Sequence, residues 1–103
     1  MSTFDERERA FEAKFAHDEE MAFKAVARRN KIVGLWAAGL LGKSGADADA
    51  YAMEVVRADF EEAGHEDVIR KLSADLGDKA TEADIRTRLA AALIEAKGQL
   101  ATE

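Results

Sequence analysis

The sequence FKAVARRNKIVGLWAAGLL, from Phe23 to Leu41, indicates an amphipathic helix. Its apolar residues recur at spacings of 4 and 7, which return to one face when each residue turns the helix by about 100°. Thr3 and Glu6 have the capping-box spacing that starts a helix, so we expect one first helix from Thr3 to the end of this stretch. Its predicted inward face contains Phe4, Phe11, Phe15, Ala22, Val26, Val33, Ala37 and Leu40.

Glycines divide the rest of the chain into three further helical segments. We expect helices at about 47–63, at about 66–76, and from the N-cap Thr81 onward, with Gly42, Gly45, Gly64 and Gly77 at turns and helix ends. Their predicted inward residues are Ala48, Tyr51, Ala52, Val55, Val56 and Phe60, then Val68, Ile69, Leu72 and Leu76, then Ile85, Leu89, Ala92, Leu93, Ala96 and Leu100. No window alternates with period two, and the chain has no proline. We therefore predict an all-α protein, a small four-helix bundle.

Composition excludes several classes of function. The absence of cysteine excludes disulfides, thiolate metal sites and cysteine nucleophiles. A net charge of −6 disfavours nucleic acid and anionic lipid as partners. The longest apolar run, Ile32 to Leu41, is about half of the ~20 residues that a membrane span needs, and Met1 to Asp5 lack the pattern of a secretory signal. We expect a cytoplasmic protein that neither binds nucleic acid nor inserts into the membrane.

The sequence AAGLLGKS, from Ala37 to Ser44, matches a relaxed phosphate-loop pattern. A working phosphate loop follows a strand and opens a helix, whereas this one follows the most apolar helical stretch of the chain. We interpret it as a helix C-cap, and only a weak nucleotide contact at Lys43 is left open. His17 and the three acidic residues after it point in different directions on a helix. The sequence therefore predicts no metal site, no cofactor and no catalytic residues.

Four cations lie within eight residues of the first helix: Lys24, Arg28, Arg29 and Lys31. Such a cluster is commonly a solvated helix face. The functional interpretation is a secondary contact with an acidic partner surface, or with the acidic segment that precedes the cluster. The sequence alone leaves both interpretations open.

The N-terminal segment has an unusual balance of charge and aromatic residues. Residues 5–20 contain seven acidic and three basic side chains, and Phe4, Phe11 and Phe15 lie along one edge. Burying three Phe side chains yields about 5 to 9 kcal/mol, whereas ordering some sixteen residues costs on the order of 16 to 30 kcal/mol. We therefore predict an N-terminal arm at 1–19, mobile and frayed when free, and a bundle at 20–103. The arm either folds back on the bundle or becomes helical in a partner's groove.

Three stretches carry a resemblance to a known family. They are TFDERERAFEAKFAHDEEMAFKAVARRNKIVGLWAAGLLGK (Thr3 to Lys43), DADAYAMEVVRADFEEAG (Asp47 to Gly64) and DVIRKLSADL (Asp67 to Leu76), with FKAVARRNK and LWAAGLLGK the most specific parts. The chain resembles the zeta subunits of alphaproteobacterial F-type ATP synthases over about three quarters of its length. The resemblance implies a four-helix bundle and a non-enzymatic inhibitor of ATP hydrolysis, held peripherally at the inner membrane by the synthase.

The resemblance also implies where the inhibitor acts. In that family the N-terminal segment enters a catalytic interface between the alternating large subunits and meets the central stalk of the rotor. Carried over to matching positions, the implied contacts are Phe4, Arg7, Arg9, Phe11, Lys14 and Phe15. The alternatives are a generic helical adaptor that binds another protein through its first helix, and a small nucleotide-binding enzyme that uses Lys43 and Ser44.

Overall fold

The computed structural model describes residues 3–60 and 64–103, with the backbone alone over 3–18 and side chains from residue 19 onward. The described residues form four α-helices: α1 at Thr3–Leu40, α2 at Gly45–Ala58, α3 at Glu66–Leu76 and α4 at Glu82–Ala101. A short 3₁₀ turn at Gly77–Lys79 joins α3 to α4. The regular structure in these ranges is all helical, so the predicted all-α four-helix bundle is confirmed.

The core lies where α2, α3 and α4 pack against the C-terminal half of α1. Every predicted inward residue of α3 is buried, and so are four of the six predicted in α4. The main core cluster is Val33, Ala37, Ala38, Tyr51, Val55, Val68, Ile69, Leu72, Leu76, Ile85, Leu89 and Ala92. Thr81 is the N-cap of α4, as predicted, and its side chain forms a complete capping box with Asp84. The capping box predicted for Thr3 and Glu6 lies outside the described side chains.

The buried face of α1 includes Val33 and Ala37, as predicted, but it is wider than the predicted stripe and excludes residues at both ends of the described part of that stripe. Buried positions recur every four residues, along 25, 29, 33 and 37 and along 30, 34 and 38. Ala22 and Leu40, which the sequence predicts to face inward, are exposed. Ala22 lies beside the last turn of α4 and Leu40 is the last residue of α1, so both lie where the other helices cover less of α1.

The second helix is shorter than predicted and leaves an aromatic residue outside. It ends at Ala58 instead of extending to residue 63, so Phe60 follows the helix and is 62% exposed. The prediction that Phe60 faces the core is wrong. Residues 61–63 lie outside the described ranges. Phe60 instead contacts the exposed Phe23 of α1, with 5.8 Å between ring centroids.

Gly34 is the point where α1 and α2 approach closely. A Cβ placed on Gly34 would lie 2.7 Å from the Cα of Ala52 and 3.1 Å from its Cβ. Carbon atoms in favourable contact are about 3.5 to 4.0 Å apart. The close approach of the two helices therefore requires glycine at this position.

Gly34→Ala is expected to destabilise the bundle by about 1 to 3 kcal/mol, because the new methyl group would push two helices apart. Gly39→Ala is the matched control on the same helix, since a Cβ there meets nothing within 4 Å. It is expected to gain up to about 1 kcal/mol of helix propensity. Urea unfolding of both variants measures the two shifts, and shifts of equal sign would contradict the close approach.

A polar cluster ties α2 to α3. The Tyr51 hydroxyl donates a hydrogen bond to Asp75 at 2.8 Å, and the Lys71 ammonium donates to the same carboxylate at 3.0 Å. The Lys71 ammonium also lies 5.1 Å from the centroid of the Tyr51 ring. Burial alone would raise the pKa of Asp75, but the two hydrogen bonds outweigh it and lower that pKa below its ordinary value. Burial and the hydrogen bond to Asp75 raise the pKa of Tyr51.

The lowered pKa of Asp75 makes stability depend on pH. A carboxyl group whose pKa is lower in the folded state stabilises the fold above its unfolded pKa, about 3.9. That contribution is lost as the pH falls through the folded pKa. Between about pH 4 and pH 2 the parent is therefore expected to lose more melting temperature than Asp75→Asn does. An equal fall in melting temperature for the two proteins across this pH window would contradict a lowered pKa for Asp75.

Candidate interaction surface

Helix α1 is much longer than the helices packed on it. Its 38 residues span about 57 Å at 1.5 Å per residue, whereas the 20 residues of α4 span about 30 Å. The longest dimension of the chain, 63 Å, is close to the length of α1 alone. The N-terminal half of α1 therefore runs beyond the reach of α4.

The other helices meet α1 only as far along as residue 21 in the part of the chain whose side chains are described. Leu100 at the end of α4 lines a pocket with Met21 and Ala25 of α1. The Phe60 ring, just after α2, contacts Phe23. These contacts agree with the predicted boundary between an arm at 1–19 and a bundle at 20–103, which stays a prediction.

The six residues predicted to bind the partner all lie in the first half of α1. The backbone there is helical from Thr3. The side chains of these residues are outside the described part of the structure, so their contacts stay predictions. The six are Phe4, Arg7, Arg9, Phe11, Lys14 and Phe15.

Three of the four predicted secondary contacts lie on the outer surface of α1. The Lys24 ammonium is 3.2 Å from a carboxylate oxygen of Glu20, one turn earlier. The Arg28 guanidinium donates a hydrogen bond to the carboxylate of Glu103. That hydrogen bond lowers the pKa of Glu103. Lys31 is exposed and makes no ion pair with any described residue, so its charge faces solvent.

Arg29 is the exception, because its side chain is buried inside the bundle and only 3% of the residue is exposed. Its Nε and Nη2 donate to Oδ1 of Asn30 at 3.0 and 2.8 Å. Nη2 also lies 3.0 Å from Nδ1 of His65 and 3.9 Å from the carboxylate of Asp59. Burial lowers the pKa of Arg29, while Asp59 acts in the opposite direction.

Arg29 is therefore corrected from a surface contact to an interior group that joins α1 to the segment between α2 and α3. The position of Arg29 in the helix indicates burial, although its charge favours the surface. It lies three residues after Val26 and four before Val33, both predicted to face inward. Helical spacing places all three residues on one side of α1.

An open groove of about 760 Å³ lies beside the three outward cations, between α1, α2 and the end of α4. Two exposed apolar residues, Phe23 and Met53, belong to its lining. Its apolar floor is formed by Met21, Phe23, Ala27, Met53, Val56 and Leu100, and its rim carries Lys24, Arg28, Lys31 and Glu103. We call this feature the basic groove. Sequence reasoning found the cations and missed the floor, which comes from three different helices.

The phosphate-like sequence forms a helix end. The Lys43 amide donates to the carbonyl of Ala38 at 2.8 Å and the Gly42 amide to that of Gly39 at 3.1 Å, which is the Schellman pattern. Gly42 has a φ of +77°, as that motif favours. Helix α1, not a strand, precedes the turn. The predicted C-cap is confirmed, and the weak nucleotide contact at Lys43 stays a prediction.

Two features are absent from the described ranges. No group of three or more His, Asp or Glu residues there is arranged to hold a metal ion. None of the helices described is both long and apolar enough to cross a membrane.

The fold and its surfaces define a small all-α bundle with one greatly extended helix. Comparison with protein families identifies it further. The model of the ATPase inhibitor subunit zeta family matches residues 1–99, and the chain belongs to that family. The resemblance inferred from the sequence is thereby confirmed. Inhibition of an ATPase is a regulatory role, not a catalytic one.

A solved structure agrees with this fold. The chain is similar to a protein of 58% sequence identity whose structure was determined in solution by NMR, with a TM-score of 0.75. The alignment covers 80% of this chain and 96% of that one. Among curated proteins, none matches the chain at a significant level.

Proposed function

We propose that this chain is the inhibitory subunit of an F-type ATP synthase and blocks ATP hydrolysis by inserting its N-terminal arm into a catalytic interface. Membership of the ATPase inhibitor zeta family is the observation that carries this proposal. The partner is the catalytic sector of the synthase. The chain then resides in the cytoplasm, peripheral to the inner membrane through that partner.

The architecture supports the arm as the inhibitory element. Described contacts from α2 and α4 extend along α1 only to about Met21, and α1 continues for 18 helical residues before that point. A projecting helix is the shape that fits a groove in a partner. The Phe edge and mixed charges of residues 4–15 supply apolar anchors and polar rim contacts for such a groove.

Energetics favour an arm that orders on binding. In the free protein the three Phe side chains have only the end of the bundle to pack against. The free energy gained by burying them there is smaller than the entropic cost of ordering the arm. A partner groove that encloses the arm supplies the missing buried area. The arm is then frayed in the free protein and helical in the complex.

Titration of the purified full chain into the catalytic sector from its own organism tests the function. ATP hydrolysis is expected to fall to a low plateau as the chain is added. The chain alone is expected to turn over no ATP. Unchanged hydrolysis despite capture of another protein by the chain would favour the adaptor alternative.

Photo-crosslinking tests the location of the arm, because the chain contains no cysteine of its own. A crosslinker attached at Ala10→Cys is expected to label the large subunits or the central stalk of the partner. The same group at the exposed Ala83→Cys on α4 is the matched control and is expected to label them far less. Equal labelling from both sites would contradict insertion of the arm.

A further inference from the structure

The basic groove begins where the arm ends. Its lining starts at Met21 and continues through Phe23, Lys24 and Ala27 on the same helix. A partner that holds residues 1–19 is therefore brought directly against this groove. Two linked contacts on one helix bind with the advantage of a high effective concentration.

The floor of the groove is apolar surface that the bundle itself leaves uncovered. Phe23 is 59% exposed, and its only described aromatic contact is the equally exposed Phe60. Met53 of α2 is 42% exposed. Clustered exposed apolar side chains rimmed by charge are typical of protein interaction sites.

The rim of the groove selects for carboxylates. Lys24, Arg28 and Lys31 lie at spacings of four and three, which places them along one stripe of α1. Two of these cations already bind carboxylates of this chain, from Glu20 and Glu103. Both of those carboxylates are more than half exposed, so the pairs are weak and exchangeable. Lys31 is exposed and makes no ion pair with a described residue.

We propose that the basic groove is a second docking site, which binds an acidic amphipathic segment of the same synthase that the arm inhibits. This inference rests on the proposed function for the identity of the partner. The segment places apolar side chains on Phe23 and Met53 and carboxylates against Lys24, Arg28 and Lys31. Its contact orients the inhibitor and slows release, while the arm blocks hydrolysis.

Other occupants fit the structure less well. The chain's own arm is acidic, but in the proposed complex the partner holds it as the helical continuation of α1, which runs from Thr3 to Leu40. The bound arm is then directed away from the groove. A second copy carries the same net charge of −6, so two copies repel each other at long range. Both occupants predict results different from those of a synthase segment.

Charge reversal in the full chain tests the proposal. Lys31→Glu is expected to weaken binding to the purified catalytic sector by about tenfold or more, because it opposes a partner carboxylate. Lys79→Glu is the matched control, because it reverses the charge of another exposed lysine. Lys79 lies on the 3₁₀ turn before α4, and the groove lies at the other end of α4, ~30 Å away. The control variant is expected to bind like the parent. The difference between the two variants is expected to shrink as salt is added.

Phe23→Ser tests the apolar floor and is expected to weaken binding at low and at high salt. Circular dichroism melts confirm that each variant is folded. Inhibition at saturating concentration is expected to stay at the parent plateau for the groove variants, because their arm is intact. Only the concentration for half inhibition is expected to rise, by the same factor as the dissociation constant.

The outcomes separate the groove from the arm. Parent-like binding of both Lys31→Glu and Phe23→Ser, with inhibition preserved, would overturn the groove and leave the function standing. If the parent binds the synthase without inhibiting it and the two variants bind more weakly, the groove proposal would be supported and the proposed inhibitory function overturned. Stronger inhibition by Lys31→Glu would assign the groove to the chain's own arm. A dimer of the parent in sedimentation that is lost in these variants would assign the groove to a second copy of the chain. Each of these last two results would overturn the proposal.

Discussion

Leu72→Ala is expected to lower the free energy of unfolding by about 2 to 5 kcal/mol, the range for large-to-small changes at buried leucines. Leu72 is 0% exposed and belongs to the main core cluster. It lies in α3, a helix of eleven residues that contributes its apolar face as a unit. Truncation there removes buried apolar area and leaves a cavity that the surrounding helices fill only in part.

Ile94→Ala is the matched control for that experiment. Ile94 is 75% exposed on α4, and surface changes of this kind usually stay within about 0.5 kcal/mol. Urea denaturation gives both values on one scale, with the m-value as a check for two-state unfolding. Similar losses for both variants would mean that α3 does not pack as described.

Phe11→Ala and Phe15→Ala are each expected to weaken binding to the synthase by about 2 kcal/mol or more, as central aromatic anchors do. That is roughly a thirtyfold loss of affinity, since about 1.4 kcal/mol is tenfold. The two residues are four apart and adjacent on one helical face. Inhibition measured against concentration gives the shift for each variant.

Two further variants separate anchor from rim. Ala13→Ser, away from the Phe edge on a helix, is expected to inhibit like the parent. Arg9→Ala is expected to act mainly on the association rate and its salt dependence, as rim charges do. Parent-like inhibition by both Phe→Ala variants would show that the aromatic edge does not hold the arm, and the insertion mechanism would then need another anchor.

Local signals predicted most of the fold. Thr81 starts α4 as the expected N-cap, and Gly42 ends α1 in the left-handed conformation. The helical spacing of Val68, Ile69, Leu72 and Leu76 predicted the buried face of α3 correctly. These features depend on residues within one or two helical turns of each other, so a single sequence contains what is needed to predict them.

Features that depend on distant residues were not predicted. Arg29 is buried because Asp59 and His65, 30 and 36 positions later, converge on it. Phe60 is exposed because α2 ends before it, at Ala58. The charge of Arg29 predicted exposure and the hydrophobicity of Phe60 predicted burial. Both expectations were wrong, because these properties give only average tendencies toward the surface or the core.

The candidate site was predicted in part for the same reason. Its three outward cations follow from helical spacing on α1 alone. The apolar floor needs Met53 from α2 and Leu100 from α4 beside Phe23, and no local pattern relates these three positions. The residues of the arm follow from composition and family resemblance, and their partner contacts are decided only in the complex.

ATP hydrolysis by the purified catalytic sector, followed with the full chain and with a chain that lacks residues 1–19, tests the central claim most directly. The full chain is expected to stop hydrolysis. The shortened chain is expected to leave hydrolysis unchanged while melting at nearly the same temperature, because the described core lies beyond residue 24. Equal inhibition by both folded chains would contradict the claim that the N-terminal arm is the inhibitory element.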